Sequence, residues 1–87
     1  MFIILVYDIE QKRVNKVLKA ARQYLNWVQN SVLEGELSRA GFEGLKHKLK
    51  QIIEEDKDSV IFYLFREKTY TDRQTMGIKK GGEELII

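Results

Sequence analysis

The sequence contains no cysteine and no proline, and it has only one histidine. Without cysteine the chain can form neither disulfides nor thiolate metal sites, and it lacks a thiol nucleophile. His47 lies in a lysine-rich segment and is expected to be a solvated surface side chain, so no catalytic triad is supported. The glycines match neither a P-loop nor a GxGxxG motif. Carboxylates and basic side chains remain as the candidates for chemistry.

Long hydrophobic runs are also missing. The apolar run at the N-terminus is far too short to span a bilayer and has no basic flank, so we expect a cytoplasmic protein that does not enter membranes. The net charge of +2 is too small to indicate nucleic-acid binding by itself. With 87 residues the chain is expected to form a single domain, residues 1–87, small enough to benefit from oligomerisation.

The N-terminal apolar run predicts a central strand that ends at Asp8. Its residues are β-branched, aliphatic or aromatic, and both alternating faces are apolar. Ile3, Leu5 and Tyr7 lie on one face. Asp8 lies on the other face, with Phe2, Ile4 and Val6.

The remaining pattern predicts a ferredoxin-like α+β fold. Amphipathic spacing indicates helices over residues 11–24 and 38–55, the second capped by Ser38. Two short strands, about 26–29 and 32–37, flank the turn-forming Asn30-Ser31, or one strand carries a bulge there. Gly35 indicates a kink or a close backbone approach. A second apolar strand covers 59–65. In the tail, 69–87, a strand at 73–78, a turn at 81–82 and a C-terminal extra strand are expected. The order βαββαβ is the split βαβ arrangement, with an antiparallel sheet.

Two helices can cover only one face of such a sheet. Because the two apolar strands are apolar on both faces, the second face should meet another surface. The simplest partner is the same face of a second copy, in a homodimer with two-fold symmetry.

Asp8 has two possible roles. A carboxylate that follows a strand often caps the next helix, here together with Glu10 as the alternative cap. If the Asp8 face forms the dimer contact, however, two Asp8 carboxylates converge on the two-fold axis. They could then share one Mg²⁺, which polarises a phosphodiester and activates water.

Basic residues follow Asp8 on the first predicted helix, and others lie on the second. They are either ordinary solvated side chains or phosphate contacts for a duplex laid across the dimer. The candidates closest to Asp8 are Lys12, Arg13 and Lys16.

The segments Val6-Tyr7-Asp8-Ile9 and Lys12-Arg13-Val14-Asn15-Lys16-Val17-Leu18 resemble the opening of the small CRISPR-associated endonuclease family. These endonucleases are the smaller of the two proteins of CRISPR spacer acquisition. Residues 28–37, Asp58-Ser59-Val60 and Met76-Gly77 also resemble segments of that family, so the similarity covers nearly the whole chain.

The resemblance implies a homodimer that binds one Mg²⁺ through Asp8 of both protomers and cleaves RNA or DNA phosphodiesters. It further implies a partnership with the CRISPR integrase, in antiviral defence, and binding of double-stranded DNA and single-stranded RNA. Lys12, Arg13 and Lys16 are expected near the nucleic-acid backbone. Trp27 and Leu33 depart from the family, which often has Arg and Phe there.

Two functions therefore stay open from the sequence. One is a metal-dependent endonuclease that uses Asp8. The other is a non-catalytic DNA-binding dimer that bridges the integrase. An RNA-recognition module on the same fold is disfavoured because Ser31-Val32-Leu33-Glu34-Gly35 lacks stacking aromatics, whereas a small-molecule regulatory domain remains compatible with the pattern.

Overall fold

The structure, a computed structural model, describes residues 1–66 and Met76. Its elements follow the predicted order: β1 Phe2–Asp8, α1 Gln11–Ala21, β2 Asn26–Gln29, β3 Val32–Glu36, α2 Arg39–Lys50 and β4 Ser59–Phe65. The four strands form one antiparallel sheet in the order β2-β3-β1-β4. This is the strand order of the ferredoxin-like fold, and the predicted fold class is confirmed.

Both helices are shorter than the hydrophobic pattern predicts. α1 ends at Ala21 rather than Tyr24, and α2 ends at Lys50 rather than Glu55, because single turns follow each helix. Ser38 is the N-cap of α2, as predicted: its hydroxyl oxygen accepts a hydrogen bond from the Gly41 amide at 3.0 Å. The cap satisfies one of the amides that a helix N-terminus leaves without a partner.

The helices cover one face of the sheet. Ile3, Leu5 and Tyr7 of β1 pack into a single core with buried residues of both helices. The Phe42 ring of α2 meets the Phe62 ring of β4 edge-on, with centroids 5.0 Å apart. β1 is the central strand between β3 and β4, which is why its inward side chains are among the most buried.

The turn between β2 and β3 contains Asn30 in the left-handed region, with φ of 38°. Asparagine tolerates that conformation better than most residues, which is consistent with the turn that the sequence predicts here. The pairing of β2 with β3 shifts register between Trp27 and Gln29. Gly35 allows the close approach that was expected, since a Cβ there would lie 3.2 Å from Leu25 Cδ2 and 3.6 Å from Leu25 Cα.

The predicted strand at 73–78, the turn at 81–82 and the C-terminal extra strand fall outside the described residues, apart from Met76. Over the part of the chain that is described, neither helix is long and apolar enough to cross a membrane.

Candidate metal and nucleic-acid site

Asp8 is the last residue of β1 and is solvent-exposed. It lies on the sheet face opposite the helices, directly across from Ser59 of β4. The ladder with β3 ends two residues earlier, at the pair Val6 and Val32. Among residues 1–66 and Met76, no side-chain hydrogen bond or ion pair engages the Asp8 carboxylate. Its oxygens are therefore open to a ligand from outside.

Capping of α1 does not involve Asp8, and this correction removes one of its two candidate roles. The N-cap of α1 is Glu10, whose side chain makes no capping hydrogen bond. The Glu10 amide instead donates to Asp58 Oδ1 at 3.0 Å. An acidic side chain does serve the turn before this helix, but it comes from the segment that precedes β4.

The donor type at Asp8 suits a hard divalent cation, because Mg²⁺ prefers carboxylate oxygens and waters. The described residues contain no group of three or more His, Cys, Asp or Glu side chains that could hold a metal ion. Asp8 is therefore not part of a metal-binding cluster among these residues. A cation here would need a second copy of Asp8, or phosphate oxygens of a substrate, to complete its ligands.

The face that carries Asp8 also exposes apolar side chains. Ile61 and Tyr63 of β4 are 46% and 51% exposed, and they lie opposite Val6 and Ile4 of β1. Exposed apolar side chains that adjoin one another on a flat sheet often mark a contact surface. The carboxylate and the apolar surface thus lie on the same side of the molecule.

Arg13 has surroundings that the sequence analysis did not predict. It is 7% exposed, and its guanidinium is surrounded by carboxylates. Nε lies 2.6 Å from Asp58 Oδ2, Nη2 lies 2.9 Å from Asp58 Oδ1 and from Glu10 Oε1, and Nη1 lies 3.2 Å from Glu54 Oε2. The expected phosphate contact therefore does not match this geometry, since the donors of the guanidinium already face three acidic partners.

The pair of Arg13 and Asp58 is strongly coupled. Hydrogen bonds from Arg13 hold the pKa of the Asp58 carboxyl far below its ordinary value, although burial opposes that shift. The amides of Glu54 and Glu10 act in the same direction as Arg13. The same hydrogen bond raises the pKa of the Arg13 guanidinium above its already high value. Both groups are therefore charged at neutral pH.

Asp58 is the residue of this site that the sequence analysis missed. In the sequence it is only the first residue of Asp58-Ser59-Val60, a segment that resembles the family, whereas in the structure its side chain is fully buried. A signal was present at Arg13, which precedes the buried Val17 by four residues and so lies on the apolar stripe of α1. A charge on a buried stripe implies a partner of opposite charge.

Lys12 and Lys16 are exposed on α1. They are four residues apart and so lie on the same side of the helix. Among the described residues, no hydrogen bond or ion pair holds either ammonium group. Among the described residues, the ammonium groups of Lys12 and Lys16 are therefore available for contact with phosphates.

Three further side chains make contacts within the fold of this chain. Tyr7 points to the helix side of the sheet, and burial raises the pKa of its hydroxyl, which donates to the Asn30 carbonyl at 3.4 Å. The indole N–H of Trp27 donates to the same carbonyl at 3.0 Å, and the Arg22 guanidinium lies 5.4 Å from the centroid of its ring. Leu33 is fully buried in the core.

Known proteins resemble this chain over its full length. A Cas2 protein described as a CRISPR-associated endoribonuclease, from Dictyoglomus turgidum, is 54% identical over 87 residues, which is 100% of both chains. Another, from Thermotoga maritima, is 49% identical with the same coverage. A crystal structure of a Cas2 protein matches with a TM-score of 0.83 and 47% identity, covering 100% of this chain and 98% of that one. The Cas2 structure from Streptococcus pyogenes matches with a TM-score of 0.77 and 36% identity, over 88% and 100%.

The family model for the CRISPR-associated protein Cas2 matches residues 1–73. That range contains all the described strands and helices and every site residue discussed above. Sequence similarity, strand order and structural similarity agree with one another. This chain therefore belongs to the Cas2 family of CRISPR-associated proteins.

Proposed function

We propose that this protein is a homodimeric, Mg²⁺-dependent endonuclease of CRISPR spacer acquisition, which cleaves RNA or DNA phosphodiesters in the cytoplasm. The observation that carries the proposal is the exposed carboxylate of Asp8, which has no hydrogen bond or ion pair among the described residues and lies beside an exposed apolar sheet face. The names of the relatives, which call them endoribonucleases, support the same reaction.

In this mechanism the apolar face forms the dimer contact and brings two Asp8 side chains together. The two carboxylates would hold one cation, and the chemistry that this cation would supply is Lewis-acid polarisation of the phosphate and activation of water. Lys12 and Lys16 attract the nucleic-acid backbone, because ammonium groups on one side of a helix displace the counterions of phosphates. Tyr7 takes no part in proton transfer, since its hydroxyl faces the helix side of the sheet.

A second candidate function is a non-catalytic dimer that holds double-stranded DNA and bridges the CRISPR integrase. One observation favours it: each chain offers a single candidate carboxylate, with no acidic or histidine cluster around it in the described residues. The exposed lysines of α1 serve this function as well as the first. The integrase contact is assigned to about residues 79–87, as the apolar end of the sequence suggests.

Replacement of Asp8 by alanine separates the two functions. We expect Asp8→Ala to lower Mg²⁺-dependent cleavage of single-stranded RNA or duplex DNA by at least about 100-fold, because a ligand of the shared cation is lost from both protomers. Chelation of Mg²⁺ should have the same effect on the wild type. Cleavage rates of the purified wild type and Asp8→Ala proteins provide the measurement.

The control is duplex binding. Asp8→Ala should bind duplex DNA at least as tightly as the wild type, whereas Lys12→Gln combined with Lys16→Gln should weaken binding and flatten its salt dependence by about one unit of slope per lysine. Equal cleavage by wild type and Asp8→Ala would contradict the endonuclease and leave the DNA-holding dimer. Unchanged binding by the double lysine variant would contradict the role of α1.

A further inference from the structure

The position of Asp8 is set by backbone contacts and not by contacts of its side chain. Its side chain has no hydrogen-bond partner among the described residues, and on the β3 side the last backbone hydrogen bond is one residue earlier, from the Tyr7 amide to the Ser31 carbonyl at 3.1 Å. Only β4 still pairs with it, through Ser59. After Asp8 the chain leaves the sheet and enters α1 within a few residues. A metal ligand at such a point is held accurately only if the turn that follows is fixed by other groups.

Asp58 is placed to fix that turn. It directly precedes Ser59, and its Oδ1 accepts the amide of Glu10, two residues beyond Asp8, at 3.0 Å. One buried carboxylate thus connects the start of β4, which pairs with Asp8, to the start of α1, which follows Asp8 in the chain. The Glu54 amide donates to its other oxygen at 2.9 Å, which fixes the loop that carries Asp58.

Arg13 fixes Asp58 in turn. The guanidinium reaches both carboxylate oxygens, Nε to Oδ2 at 2.6 Å and Nη2 to Oδ1 at 2.9 Å. Such a two-point contact restrains both the position and the rotation of the carboxylate. Because Arg13 lies in the first turn of α1, its contact with Asp58 also anchors the helix to the segment before β4.

We propose that Asp58, held by Arg13, is a positioning residue that fixes the backbone around Asp8 and thereby sets the affinity of the site for a divalent cation. This inference rests on the proposed role of Asp8 as a metal ligand. Asp58 itself touches neither cation nor substrate. Its charge matters because both carboxylate oxygens accept hydrogen bonds at once, whereas an amide has a single acceptor oxygen and a nitrogen that would face other donors.

The variant Asp58→Asn tests the inference, with Leu25→Ala as its control. Leu25 is 3% exposed and lies beside Gly35, near the opposite end of β1, so its truncation destabilises the fold away from Asp8. Hydrogen exchange of the amides at residues 8–10 is compared with exchange at residues 3–5 of the same strand. The affinity for Mn²⁺ alone, used as the paramagnetic probe for Mg²⁺, is measured by water-proton relaxation.

In Asp58→Asn we expect exchange at residues 8–10 to accelerate by at least about tenfold, while residues 3–5 change far less. We expect Mn²⁺ affinity to fall by about 10-fold or more, as is usual when groups that orient metal ligands are removed. Leu25→Ala should accelerate exchange along the whole strand and leave Mn²⁺ affinity unchanged. If Asp58→Asn does not fold, Arg13→Lys, which keeps the charge but loses the two-point contact, should show the same local pattern more weakly.

The inference would be overturned if folded Asp58→Asn showed equally accelerated hydrogen exchange at residues 3–5 and 8–10, or if its Mn²⁺ affinity were unchanged. Failure of the proposed function has a different signature: the wild type would bind no Mn²⁺ and its cleavage would not respond to Mg²⁺. Even then the exchange comparison decides whether Asp58 fixes the turn after Asp8.

Discussion

From Ile3 onward the two faces of β1 have different environments although their side chains are similarly apolar, and Phe2, on the Asp8 face, is buried. On the helix side, Ile3 and Leu5 are completely buried. On the other side, Ile4 and Val6 are only half-buried, their neighbours on β4 are about half exposed, and the strand ends in a charged residue. Apolar composition alone therefore does not distinguish the covered face of the sheet from the open one.

A comparison of neighbouring residues on β1 should show the largest effect. Leu5→Ala is expected to lower the free energy of unfolding by about 2–5 kcal/mol, because it leaves a cavity in the core, whereas Ile4→Ala should cost about 1 kcal/mol or less. Denaturant unfolding at low protein concentration, where the monomer dominates, provides the measurement. Similar losses for the two variants would mean that the Ile4 face is also part of the monomer core.

Two residues of β4 allow a sharper comparison. Tyr63 and Leu64 are both 51% exposed, yet they lie on opposite faces of the sheet. If the Asp8 face forms the dimer, Tyr63→Lys should weaken dimerisation by at least about 100-fold, since it places two buried ammonium groups in an apolar contact. Leu64→Lys is the matched control and should leave the dimer nearly intact.

Sedimentation velocity over a range of protein concentrations measures both dimer affinities. If the dimer survives Tyr63→Lys but dissociates in Leu64→Lys, the dimer contact lies on the helix side of the sheet and not on the Asp8 face. If the wild type is monomeric at every concentration, two Asp8 carboxylates cannot share one cation in this protein.

The smallest expected effect concerns Asp8 in the absence of metal. Two carboxylates brought together across a two-fold axis repel each other, so Asp8→Asn should tighten the dimer about two- to threefold at low salt. The difference should disappear in 1 M salt, where the Debye length is about 3 Å. Asp56→Asn, which removes an exposed acid outside the sheet, is the control and should not alter the dimer.

A dimer affinity that is the same for wild type and Asp8→Asn at low salt would place the two carboxylates far apart. Sharing of one cation would then require a change of conformation. The measurement is independent of cleavage and therefore tests the geometry alone.

Local patterns in the sequence were sufficient for most of the fold. The β-branched and aromatic runs predict β1 and β4, and the apolar stripes predict α1 and α2, because these elements follow the period of their side chains. The N-cap at Ser38 follows from local chemistry in the same way. The helix ends were less accurate, since the apolar pattern continues through the single turns that follow Ala21 and Lys50.

The surroundings of the charged residues were decided only by the tertiary structure. Arg13 and Lys12 are neighbours in sequence and similar in chemistry, yet Arg13 is buried against a carboxylate 45 residues away and Lys12 is exposed. No local pattern encodes that pairing, because it arises when α1 and the segment before β4 meet. The sequence by itself determined that β1 is central and ends in Asp8. The packing of the helices decided which face stays open, because both faces are apolar and either could have been covered.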